Sequence, residues 1–230
     1  MSNEVEKKAN EMIDQRIANG REYRRTQLIE VREAQREDDE QEMIVRGYAT
    51  VFNEDYLLRD WGDYKVYEQI DAHAFDECDT SDVIMQYDHR GRVFARNTND
   101  TLGLSIDSKG LAIEANLGGT EIGRQLYEEI AGGYTNKMSF GFTVAEDERT
   151  VANDYESNVT TVYRKITKIS KLYDVSAVSL PANDATEISA RSYCDGVIAE
   201  LEAERLRAEE LVLSRKRAEV RARALLGGIK

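Results

Sequence analysis

The chain has 230 residues, 41% hydrophobic and 33% charged, enough for one domain of ordinary size with extensions and too long for a disulfide-stapled miniature. Lys and Arg number 31 against 44 Asp and Glu, a formal charge of -13, which opposes nucleic-acid binding, where excess cations must neutralise phosphates. Two cysteines allow at most one bridge, no apolar run nears the roughly 20 residues that span a bilayer, and the start MSNEVEKKAN lacks the apolar stretch of a secretory signal. These features read as a soluble, acidic protein of a reducing cytoplasm, with neither nucleic acid nor membrane as partner.

Residues 1–42 hold 8 Lys/Arg and 12 Asp/Glu, and are expected to form a charged helical N-terminal extension. Met12, Ile13, Ile17, Leu28, Ile29 and Val31 are sparse apolar positions among helix formers, and Glu37-Asp38-Asp39-Glu40 reads as a solvated connector. The middle, residues 43–190, has another rhythm. Segments 43–52, 64–70, 82–88, 92–97, 102–106 and 110–117 are short strand candidates separated by Gly, Asn and Asp. Thr120 is placed to cap a helix with Ile122, Leu126 and Ile130 on one face, ended by Gly132-Gly133. Residues 138–146 return to strand, 147–158 read as a polar loop, and 163–180 as one bent strand or two, stopped by Pro181. Residues 191–230, with 9 Lys/Arg and 7 Asp/Glu, read as a charged C-terminal helix. The expected fold class is mixed α+β: a mainly antiparallel β-barrel surrounded by helices, with helical extensions at both ends.

Only two histidines are present, so imidazole chemistry falls to His73 or His89. His89, in MQYDHRG, ends an apolar strand just before Gly91, where a scaffold presents a side chain outward. Ser139, in NKMSFGF, is a hydroxyl in an apolar strand and needs a partner, which a nearby imidazole would supply while raising its nucleophilicity. Lys137 stands where the G-x-S-x-G elbow has its first glycine, so this is not that motif. Asp174, in KLYDVSAVSL, is the sole acid between Glu156 and Asp184. Burying it requires a partner, and the far nitrogen of an imidazole would serve. A turn histidine, a gap-filling serine and a surface acid paired with Lys171 or Arg164 are the bland alternatives.

In order, YATVFN, a Y-E-x-I-x-x-x-A-F segment, the strand ending in His89, GLSID-x-KGL, MSFGF and LYDVSAVSLPAN resemble the prohead proteases of tailed bacteriophages over residues 43–190. The resemblance implies a serine endopeptidase with a fold like the herpesvirus assembly protease, a β-barrel surrounded by helices. It implies His89 as base, Ser139 as nucleophile and Asp174 as the third member, with no cofactor and no metal. Its partners would be the major capsid protein with its scaffolding region, and the protease itself through self-cleavage, inside the procapsid in a bacterial host cytoplasm. The family more often carries Glu where Asp174 stands and Gly where His73 stands, and no arginine follows Asp174 until Arg191 to help hold an oxyanion.

Three rival readings accompany it. An assembly protein could retain the barrel without catalysis. A metal hydrolase could use Asp71, His73, Asp88 and His89, although no HExxH spacing exists and Asp88 and His89 would point apart in a strand. A thiol enzyme could use Cys78, although its DECDTSD surroundings would raise the thiol pKa.

Overall fold

A computed structural model describes residues 20–27, 29–31, 43–179 and 184–227. The chain divides into two compact units, Met1–Arg191 and Ser192–Lys230. Along it run β1 (Arg21–Gln27), β2 (Ile29–Val31), β3 (Ile44–Val51), β4 (Tyr56–Asp60), β5 (Tyr64–Ile70), β6 (Ile84–Tyr87), β7 (Arg90–Arg96), β8 (Leu102–Ile106), β9 (Gly110–Asn116), α1 (Glu121–Ala131), β10 (Lys137–Asp154), β11 (Val159–Val178) and α2 (Asp184–Gly227).

The class is mixed α+β, and most of the first unit is strand. Strands β1-β10-β11-β5-β4, with the β6–β7 hairpin joined through β11, form a seven-stranded sheet; β2-β3-β9-β8 form a second of four. The larger curls into half a barrel. It is less antiparallel and less helix-clad than expected. Strand β11 pairs antiparallel with β10 but parallel with β5 along Thr160–Ile166 and with β6 along Asp174–Ala177. Among the described residues of the first unit, the α-helices are α1 and the start of α2, beside one 3-10 turn at Asn97–Asn99.

Local sequence explains most elements. β5 alternates half-buried and buried positions, with Val66, Glu68 and Ile70 inward. Thr120 caps α1 by accepting from the Gly123 backbone N–H at 3.0 Å, and Leu126 and Ile130 are buried. Gly133, at φ 75°, closes the turn after it. The core joins both sheets through Val45, Ile113, Leu126, Met138, Ile166 and Val175, with Phe140 and Phe142 stacked at 4.5 Å between centroids.

Two expectations are corrected. The helical extension 1–42 includes β1 and β2, which are strands; residues 1–19, 28 and 32–42 lie outside the described set. β1 pairs with β10 over its whole length, from Arg21↔Thr143 to Gln27↔Lys137, and buries Tyr23 and Arg24. Ladder bonds and burial outweigh a helix propensity of a few tenths of a kcal/mol per residue. The loop expected over 147–158 is ribbon to Asp154, because Thr150 and Val151 pair with Tyr163 and Val162; its turn is held by Asp154, which accepts from Glu156 N at 3.0 Å and Ser157 Oγ at 2.6 Å. β4 was not expected, and Pro181 lies outside the described residues.

The second unit, described up to Gly227, is helical. Leu206, Leu211, Val212, Leu213 and Val220 are exposed on it, and Arg205 meets Glu209 at 3.3 Å one turn on. Among the described residues no helix is long and apolar enough to cross a membrane.

Candidate active site

Strand pairing decides which side chains meet. Ser139 on β10 stands opposite Ser176 on β11, and Gly141 opposite Asp174, so these four positions share one face. β1 adds Tyr23 opposite Gly141 on the other side of β10. Gly141 is required there by space. A β-carbon on it would lie 2.5 Å from Asp174 Oδ2 and 2.8 Å from Tyr23 Cε1.

β6 runs parallel to β11, from Ile84↔Asp174 to Ala177↔Tyr87, and turns at Asp88-His89 into β7, where Tyr87 faces Arg90. Both turn residues have positive φ, 49° and 57°, as a two-residue hairpin of the primed type demands. Asp and His tolerate this region better than most side chains, yet it costs energy that neighbours must offset. Asp88 N–H donates to the Ala177 carbonyl at 2.9 Å, and its carboxylate accepts from Ser179 N–H at 3.2 Å and Ser179 Oγ at 3.0 Å. Buried Gln86 donates to the Gly91 carbonyl at 3.4 Å. The turn is thereby fixed to the end of β11, and the His89 ring lies over the shared face.

The structure brings Ser139, His89 and Asp174 together. His89 Nε2 is 2.5 Å from Ser139 Oγ, and its Nδ1 is 2.5 Å from Asp174 Oδ1. The Tyr23 ring packs against the imidazole at 4.4 Å between centroids. Ser176 Oγ donates to Asp174 Oδ1 at 2.9 Å, and Arg21 pairs with Oδ2. Burial alone would raise the Asp174 carboxyl, but the His89 ring and its hydrogen bond, then Arg21 and Ser176, hold it at about 2. It is a carboxylate across the neutral range. Chemically, a hydroxyl, an imidazole and a carboxylate in this order can transfer a proton off the oxygen while the carboxylate fixes the tautomer.

All three residues are fully buried (0% exposed). Ser139 Oγ also lies 2.9 Å from the Arg24 carbonyl oxygen of β1, a second acceptor for its single hydrogen. The Arg24 side chain enters a buried charge cluster: Nε meets Glu68 Oε1 at 2.5 Å and Nη2 meets Oε2 at 2.8 Å. Arg164 binds Glu68 Oε2 at 2.8 Å, Glu22 at 2.7 and 2.9 Å, and Asp147 at 2.5 Å; Tyr56 donates to Glu68, and Arg24 also pairs with Glu22. Burial would lower the Arg24 pKa, but Glu68 and Glu22 raise it well above its ordinary value; burial and Glu68 together push Tyr56 upward.

A model of the Caudovirus prohead serine protease family matches residues 28–196. The chain belongs to that family. No curated protein and no solved structure matches it. The matched span begins after β1, so the strand that covers this family member's Ser139 lies outside it.

The rival residue sets are not brought together. His73 is exposed, 3.0 Å from Asp76; Asp71 pairs with Lys165 at 2.5 Å, and Asp88 holds Ser179. Among the described residues, no group of three or more His, Cys, Asp and Glu is placed to hold a metal. Burial, with nearby Asp79, raises the Cys78 thiol to about 11, which opposes thiolate chemistry. Sequence reasoning missed Arg21, Tyr23, Arg24 and Ser176. Ser176 was findable, since a residue two along a strand from Asp174 shares its face. The β1 residues carried no such signal.

Proposed function

We propose that the protein is the prohead maturation serine endopeptidase of a tailed phage, cleaving the scaffolding part of the major capsid protein, and its own chain, within the procapsid. Membership of a prohead serine protease family supports the setting. The observation that carries the chemistry is the contact sequence Ser139 Oγ, His89 Nε2, His89 Nδ1, Asp174 Oδ1, with both steps at 2.5 Å. A mostly-β body curling into half a barrel supports kinship with the herpesvirus assembly protease.

In this reading Ser139 Oγ bonds to the peptide carbonyl carbon as His89 Nε2 takes its proton. The C–N bond then breaks, and His89 gives that proton to the leaving amine. Water, deprotonated by His89, attacks the acyl group, and Ser139 recovers its hydrogen. Asp174, oriented by Ser176 and Arg21, accepts the Nδ1 hydrogen and stabilises the imidazolium throughout.

The test is co-expression with the cognate major capsid protein, wild type beside Ser139→Ala, with new termini identified by mass spectrometry. Loss of capsid-protein cleavage by about 10³-fold or more is expected in the variant. Unchanged processing by Ser139→Ala would sink the proposal and favour an assembly protein without catalysis.

A further inference from the structure

β1 behaves as a peptide would in a cleft. It is an edge strand of the larger sheet among the described residues, antiparallel to the strand that carries Ser139. One of its carbonyls, that of Arg24, reaches the Ser139 hydroxyl at 2.9 Å. Ser139, His89 and Asp174 are wholly buried, and β1, paired along the strand that carries Ser139, occupies the place that an added substrate strand would take.

The departure of β1 has a chemical consequence. Glu68 accepts bonds from Arg24 Nε, Arg24 Nη2, Tyr56 and Arg164, so two of these four come from the side chain that leaves. Arg164 loses Glu22 at the same time and keeps Glu68 and Asp147. Two carboxylates and one guanidinium then remain, in a site with Phe142 beside the place the Arg24 guanidinium held. A carboxylate left short of donors in such a site is costly, and an incoming cation restores what Arg24 supplied.

We propose that substrates add to β10 as an antiparallel strand in place of β1, and that Glu68 forms the floor of a pocket for a basic side chain. That side chain belongs to the residue whose carbonyl meets Ser139, the one on the N-terminal side of the scissile bond. β1 is the internal occupant of this cleft. It sits uncut because the oxygen of its Arg24 carbonyl, rather than the carbon, faces the hydroxyl. Strand addition supplies affinity and the pocket supplies selectivity. Arginine fits better than lysine, since a fork matches the two Glu68 oxygens.

This inference rests on the peptidase reading above, and one experiment separates the two. Full-length wild type, Ser139→Ala and Glu68→Gln chains are each incubated with a proteome-derived peptide library, and the cut sites are mapped by mass spectrometry. Wild type is expected to cut after Arg, and then Lys, at least about 10²-fold more often than after Gln, Leu or Glu. Glu68→Gln should reduce that preference about tenfold or more. The wild-type profile stands without the variant should Glu68→Gln fail to fold. Ser139-dependent cleavage without basic preference overturns the pocket and leaves the peptidase. Absence of any Ser139-dependent cleavage overturns the peptidase reading and the pocket with it.

Discussion

Gly141 stands directly opposite Asp174, and the carboxylate fills the volume that a β-carbon at position 141 would need, 2.5 Å from Oδ2. The Tyr23 ring bounds the same space from the other side, at 2.8 Å. Gly141→Ala must therefore displace the acid, the tyrosine or both. The expected result is a folded variant, destabilised by about 1–3 kcal/mol as overpacked cores are, with peptide cleavage reduced at least about 10²-fold because the imidazole loses its orientation. Thermal unfolding beside a peptide assay checks both. Full activity in Gly141→Ala would show that Asp174 does not orient His89.

Asp88 lies at the other support of the imidazole. Its positive φ and its two bonds to Ser179 hold the turn that carries His89. Asp88→Ala removes both bonds and leaves a residue ill suited to the left-handed region. A loss of about 1–2 kcal/mol in stability is expected. Because Asp88 acts through the turn that carries His89, its loss should appear in kcat rather than KM. Asp88→Asn, which tolerates the same backbone, should recover much of the rate.

How far these relationships were legible differs by element. β5, β8 and α1 were readable because alternation and a Thr120 cap are local facts of the chain. β1 was not, because nothing in REYRRTQ opposes a helix; the unpaired edge of β10 makes it a strand. The strand beyond Glu146 is hidden for a related reason: its residues are polar and exposed, and only its pairing with β11, itself joined there to β5, holds it extended. Ser139, His89 and Asp174 are 35 to 85 positions apart along the chain, and only the parallel β6–β11 pairing brings the turn to the acid. Their grouping came from a family resemblance together with a strand end, an apolar strand and an isolated acid. The part played by Gly141 waits on the register, since the space beside a glycine has no trace in sequence.

Asp174 sets a pH dependence whose sign is fixed. Burial opposes its charge, yet His89, Arg21 and Ser176 bring the carboxyl to about 2, below the ordinary 3.8. A carboxyl depressed by folding contributes stability that is fully present above its unfolded pKa and is lost as pH falls through the folded one. The stability gap between wild type and Asp174→Asn, measured by chemical denaturation, should therefore be constant above about pH 5 and narrow by about 2 kcal/mol as pH falls toward 2. A gap that widens with acid would mean that Asp174 is not held as a carboxylate by these partners.

Arg164 offers the sharpest stability test, because it is nearly buried and serves Glu22, Glu68 and Asp147 at once. Removing it leaves Glu68, itself fully buried, with Arg24 as its only remaining cation among the described residues. Arg164→Leu should cost about 3–5 kcal/mol, the penalty of breaking a buried ion pair from one side. Arg164→Lys should recover only part of it, since one ammonium cannot span three carboxylates as the guanidinium does. Denaturant unfolding of the three chains orders them wild type, Arg164→Lys, Arg164→Leu. An Arg164→Leu variant as stable as wild type would mean that the cluster is not closed around Glu68, and would remove the buried acid on which selectivity for a basic side chain depends.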